Sequence, residues 1–169
     1  NPAVGYLYDK IAAAGGTALF GETTEIIGAE QALARRAASP DVAEAILRAV
    51  TVQEERAKAT GLDIRTVNPV PSNIKGGISS LEEKSLGAIH KAGTAPIQGV
   101  LKYAERPARK GLFFVDNWMG HLSIFAGYAA AGANLVLFQL GGGGVAGRTL
   151  LEGSPSVVAP FLWATANPK

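Results

Sequence analysis

Cysteine is absent from the sequence and histidine occurs only twice. The first absence excludes a disulfide framework, a thiolate nucleophile, a zinc finger and an iron–sulfur cluster held by this chain. Charge of one sign is also lacking. Sixteen Lys and Arg face fourteen Asp and Glu, a net +2. No broad field therefore points to nucleic acid or to a membrane surface. Aromatic residues are 7% of the chain, yet hydrophobic residues are 47%, a globular and not a disordered composition. No basic-then-apolar leader opens the sequence, which begins Asn1-Pro2 and not with Met. An uncharged stretch does run from Leu122 to Gly147. Its Ser123, Asn134 and Gln139, and the glycines that interrupt it, fit a helix and a buried strand better than one membrane span.

What is present in excess is glycine, 21 of 169 residues. The length fits a single domain over 1–169. Asn1 followed by Pro2 is a helix start, and Val4, Leu7, Tyr8 and Ile11 keep helical spacing until Gly15-Gly16. Residues 17–20 read as a short buried strand. Thr23 or Thr24 then caps a helix running through Ala29, Ala32, Leu33 and Ala37. Ser39-Pro40-Asp41 opens another, which Gly61 stops. Residues 62–67 alternate weakly, as a strand would. Two prolines and two asparagines over 68–73 exclude regular structure there. Ser79 or Ser80 caps the next helix, with Glu82 or Glu83 as capping-box partner, and Gly93 ends it. Strands follow at 97–103 and 112–115, a helix at 121–131, a strand at 135–140 and an irregular or edge strand at 157–164, where Pro160 intrudes. Strands alternating with helices predict a Rossmann-like three-layer α/β domain, with a mostly parallel sheet and helices on both faces.

In open α/β sheets ligands bind beyond the carboxyl ends of strands. Several segments have that position. Gly21-Glu22-Thr23-Thr24-Glu25 puts two carboxylates and two hydroxyls after the first strand. Glu22 and Glu25 are candidate bases, Glu22 also a candidate metal ligand, and Thr23 and Thr24 candidate substrate contacts. The same residues would also serve a plain helix cap. Asn68, Asn73, Lys75, Gly76, Gly77 and Lys84 surround the next helix start and suit an anionic group such as a carboxylate. Gly141, Gly142, Gly143 and Gly144 follow the strand at 135–140 and allow close backbone approach to a ligand. No Gly-Lys-Ser/Thr closes that run, so it is not a P-loop. Asp116 ends a strand, and His121 opens the following helix. The two could reach one site from opposite sides of a turn. His90, near a helix end, is assigned no chemistry.

Taken together these motifs resemble the altronate/galactarate dehydratase family. The resemblance rests on Glu22-Thr23-Thr24-Glu25-Ile26-Ile27-Gly28-Ala29-Glu30, on Asn68-Pro69 followed by Gly76-Gly77-Ile78-Ser79-Ser80-Leu81-Glu82-Glu83-Lys84, on Ala130-Ala131-Gly132-Ala133-Asn134, and on the glycine run after it. It implies the catalytic C-terminal region of a lyase. Such an enzyme removes water from a sugar acid and leaves a 2-keto-3-deoxy acid, with Fe²⁺ or another divalent metal. It further implies a small anionic 2-hydroxy acid as substrate, a cytoplasmic location, a possible homo-oligomer, and no activity for this chain alone. The remainder would come from an N-terminal part of the enzyme or a small partner subunit. A Cys-Gly-Gly-Ser-Asp segment is typical of the family shortly before the residues matching Asn1-Pro2-Ala3. Two departures stand out. The usual Asp-Thr-Pro-Gly turn is here Asp116-Asn117-Trp118-Met119, and the usual Arg and Thr-Pro of the glycine loop are here Gly142, Gly144 and Val145. Both are more similar to the large subunit of sulfolactate sulfo-lyase, which expels sulfite and forms pyruvate. A non-catalytic ligand-binding domain of the same fold is the contrasting reading.

Overall fold

The structure is a computed structural model that describes residues 1–118, 120–139 and 159–164, with the backbone alone for His121, Leu122 and Trp163. The order of elements is α1 (Pro2–Ala13), β1 (Thr17–Gly21), α2 (Glu30–Ala34), α3 (Pro40–Ala59), α4 (Ile64–Val67), α5 (Pro71–Lys75), α6 (Leu81–Ile89), β2 (Ile97–Leu101), β3 (Gly111–Val115), α7 (His121–Ala130), β4 (Val136–Gln139) and β5 (Phe161–Ala164). Single 3-10 turns lie at Thr23–Glu25 and His90–Ala92.

Among the described residues the strands make two parallel sheets. One has the order β1-β3-β2, the other pairs β4 with β5. This is an open α/β arrangement, as the alternation of elements predicts. The central strand β3 is buried on both faces, which is why its sequence is a continuous apolar run. Alternation along the strands sorts the core. Ala18, Leu112, Phe114 and Ile97 point to the side covered by α3, where Ile46, Ala49 and Val50 are buried. Leu101, Phe113 and Val115 point to the other side, where Tyr128 of α7 packs. Helices thus cover both faces. A separate cluster joins α7 to the second sheet, with the Phe125 and Phe161 rings 4.3 Å apart and edge-on.

Some expectations are corrected. Residues 62–67 hold no strand. Asp63 accepts a hydrogen bond from Arg65 N–H and caps the short helix α4. The proline-rich stretch is not wholly irregular, since Pro71 at a first helical position starts the turn α5. The helix expected from Thr23 or Thr24 through Ala37 is split. Gly28 sits at φ +89°, and the Glu30 carboxylate accepts from the Gly28 N–H, so α2 begins only at Glu30. No helix among the described residues is long and apolar enough to cross a membrane.

Candidate functional site

Glu22 and Asp116 stand immediately after β1 and β3, which pair in parallel up to Gly21 and Val115. Neighbouring parallel strands therefore deliver both carboxylates to the same sheet end. Two bonds tie the loops together there. The Thr23 hydroxyl donates to Asp116 Oδ1 at 2.6 Å, and the Thr23 N–H donates to Asn117 O at 3.1 Å.

Glu22 adopts φ +96°, the left-handed region that a side-chain-bearing residue occupies at a cost. Burial pushes its carboxyl up from 4.5 to about 7. The neighbouring Glu25 charge adds to the rise, while Lys91 and Lys84 oppose it. A carboxyl at that value exchanges protons near neutrality.

Lys84 comes from α6. Ser80 caps this helix by accepting from Glu83 N–H, and the Glu83 carboxylate takes the Ser79 N–H and hydroxyl. The capping-box carboxylate thus serves Ser79, one residue before the cap. Lys84 Nζ donates to Glu25 Oε1 at 2.9 Å and to Asn68 Oδ1 at 2.7 Å. An ammonium has three N–H groups. Two are used among the described residues. The ion pair is largely buried, with 18% and 19% side-chain exposure, so its charges are less screened than surface ones.

Behind this row lies a second layer. A side chain added at Gly21 would put its first carbon 2.9 Å from Tyr128 Oη and 3.0 Å from Asn117 Nδ2. Both groups therefore press against the backbone that leads into Glu22. Burial, with Tyr8 and Glu22 nearby, raises the Tyr128 phenol well above its usual value, and the Asn117 amide opposes this. Asn117 is 1% exposed, and apart from this approach to Tyr128 its side-chain amide has no hydrogen-bond partner among the described residues. Thr24 Oγ1 is likewise buried and has no partner among the described residues. Such groups cost roughly 1–3 kcal/mol each, and they gather at functional sites.

Carboxylate, ammonium and buried polar groups at one sheet end can hold an anion and move a proton. The family described as D-galactarate/Altronate dehydratase, C-terminal, matches residues 1–157. The chain belongs to that family. It is 35% identical to the (2R)-sulfolactate sulfo-lyase subunit beta of Chromohalobacter salexigens, over 100% of this chain and 42% of that relative. It is 38% identical to the altronate dehydratase of Bacillus subtilis, over 85% of this chain and 29% of the relative. With the galactarate dehydratase (L-threo-forming) of Escherichia coli it shares 33% identity, over 85% of the chain and 27% of the relative. The chain thus spans less than half the length of these relatives.

In this dehydratase-family chain the structure gathers some of the expected residues and not others. Glu22, Thr23, Thr24, Glu25, Asn68, Lys84 and Asp116 lie at one end. Asn73, Lys75, Gly76 and Gly77 lie on the excursion carrying α5. Lys75, Gly76 and Gly77 are exposed, and the Asn73 and Lys75 side chains make no hydrogen bond or ion pair among the described residues. His121 is the first residue of α7, and its side chain is not described. Gly141, Gly142, Gly143 and Gly144 lie outside the described residues. Sequence reasoning missed Lys91, Asn117 and Tyr128 as parts of this end. Only the break in the usual Asp-Thr-Pro-Gly turn drew attention to Asn117, and nothing local marked the other two.

Among the described residues, no three His, Asp or Glu side chains stand together as a metal site. Glu25 is engaged by Lys84. Glu22 could offer one ligand, and the described donors do not hold a metal by themselves.

Proposed function

We propose that this chain is a single C-terminal domain carrying the proton-abstracting and carboxylate-holding residues of a lyase for a small anionic 2-hydroxy acid. Glu22 takes the proton alpha to the substrate carboxylate. The electron pair of that C–H bond forms the new carbon–carbon double bond, and the bond to the leaving group on the next carbon breaks. The resulting enol becomes a 2-keto acid. Lys84 and the nearby charge of Lys91 hold the substrate carboxylate and lower the cost of the negative charge developing on it. Asn117 and Thr24 offer polar atoms to substrate oxygens. Asp116, oriented by Thr23, is placed to assist the leaving group. The observation that carries this reading is a carboxyl titrating near 7 beside a fixed ammonium at the carboxyl ends of parallel strands.

With water as leaving group, the enzyme is a sugar-acid dehydratase. A second reading has sulfite leave from sulfolactate. It is favoured by the sulfo-lyase subunit matching the whole chain, where the dehydratases match 85%. In both readings the rest of the enzyme, on the same chain or in a partner subunit, completes the pocket and any metal site. The chain joined to that remainder is incubated with altronate, galactarate or sulfolactate, with and without Fe²⁺. A 2-keto acid is the expected product, with sulfite only from sulfolactate. No 2-keto acid from any of the three would end the lyase reading.

A further inference from the structure

A well-formed cavity among the described residues lies away from the Glu22 end. It holds about 910 Å³ and opens at the amino ends of β1 and β3, between α1, the loop before β3 and the turn from α7 into β4. That volume is within the range of small-molecule sites. Its lining has three distinct parts. Leu7, Ile11 and Leu135 contribute apolar wall, and Tyr8 and Tyr128 line it from α1 and α7. Arg106, Arg109 and Lys110 supply exposed positive charge from one short loop.

No carboxylate occurs among the described lining residues. Neither Arg106 nor Lys110 forms an ion pair with a described residue. Arg109 donates to the Gln98 carbonyl, a neutral acceptor that leaves its charge uncompensated. The Arg106 guanidinium lies over Gly132, where an added side chain would come within 3.6 Å of Nε. A carbon there would make ordinary contact, so Arg106 packs close on this wall, and the φ of +95° is what calls for glycine at 132. Tyr8 spends its hydroxyl proton on Leu19 O at 3.0 Å, and burial pushes it up to about 12. The Tyr128 phenol is raised as well. Both tyrosines stay neutral at physiological pH, so neither repels an anion.

Uncompensated cations facing an apolar chamber select a ligand with an anionic head and an apolar body. A polyhydroxylated acid would bury hydroxyls against Leu7, Ile11 and Leu135 without partners, which is costly. We propose that this cavity is a second ligand site, for a small carboxylate with an apolar body, separate from the Glu22–Lys84 end. The proposal stands independently of the lyase reading.

The test is an NMR titration of the 169-residue chain with 3-phenylpropionate, and with 3-phenylpropan-1-ol as its uncharged counterpart. The acid is expected to give saturable shifts at Tyr8, Ala108 and Ala133, with Glu25 and Lys84 unmoved. The alcohol, and the acid with the Arg106→Ala/Arg109→Ala double variant, are expected to bind at least about tenfold more weakly, a difference of about 1.4 kcal/mol. Both arginines are exposed, and thermal unfolding verifies that the double variant is folded. Equal binding of acid and alcohol would overturn the proposal, because the site would then be merely apolar. Absence of saturable shifts, shifts confined to the Glu25–Lys84 end, or unchanged binding by the folded double variant would overturn it as well.

Discussion

Glu22 concentrates the residue-scale argument. Its backbone is left-handed, and burial leads the causes that raise its carboxyl from 4.5 to about 7. A raised pKa means that the folded state binds the proton more tightly than the unfolded state does. The stability contributed by that proton is complete below 4.5 and is lost as pH rises through about 7. Glu22→Gln cannot ionise. The variant is expected to be more stable than the parent at about pH 8, by up to roughly 3 kcal/mol, and no more stable at about pH 4. Thermal unfolding at the two pH values checks this. In the complete enzyme the same change should lower kcat by about 10²–10⁴ if Glu22 is the base. Thr23→Val removes the hydroxyl that donates to Asp116 and is expected to cost about 1–2 kcal/mol, measured by urea unfolding. The placing of Glu22 and Asp116 at one sheet end was legible because a carboxylate directly after a strand has a predictable place. Lys91, Asn117 and Tyr128 were not. Their relation to Glu22 is made by elements far apart in sequence.

At the scale of elements, the caps were the most readable feature and the loops the least. Ser39 and Ser80 both accept the expected N–H, because a hydroxyl before a helical run satisfies a donor that the helix itself cannot. Ser80→Ala is expected to destabilise the chain by about 1 kcal/mol. It should also speed hydrogen exchange in the first turn of α6, the helix that holds Lys84. Residues 62–67 misled because Leu62 and Ile64 alternate with Asp63 and Arg65 as in a strand, while Asp63 offers a better local cap. The split of the expected helix after Thr23 turns on Gly28, whose positive φ is not visible as such in a row of helix-compatible residues.

For the whole molecule, α1 docks across the turn at His90–Ala92 and lines the amino-end cavity. Gly5 lies against the backbone at His90 and Gly93, and a side chain there would overlap the His90 carbonyl. Close by, Asp9 accepts from Thr94 N–H, Ala95 N–H and the Thr94 hydroxyl. Burial works to raise this carboxyl, but those bonds and the Arg36 charge hold it below its ordinary value. Gly5→Ala is therefore expected to cost about 1–3 kcal/mol, read as a lower midpoint in urea with an unchanged slope. Tyr128 shows why such packing matters for chemistry. It lines the amino-end cavity and also presses its hydroxyl against Gly21, next to Glu22.

The sequence by itself determined the alternation of strands and helices, the caps, the continuous apolar β3, and the family through its ordered motifs. Each depends on spacing between neighbours, which the backbone turns directly into local structure. Only the tertiary structure decided the order β1-β3-β2, which brings Asp116 to Thr23 across 93 positions. It alone joined Lys84 to Glu25 and Asn68, buried Asn117 beside Tyr128, and opened a basic cavity at the far end of the sheet. The physical reason is that charge pairing, burial and cavity shape depend on distances in space, and distant segments acquire these only when the core packs.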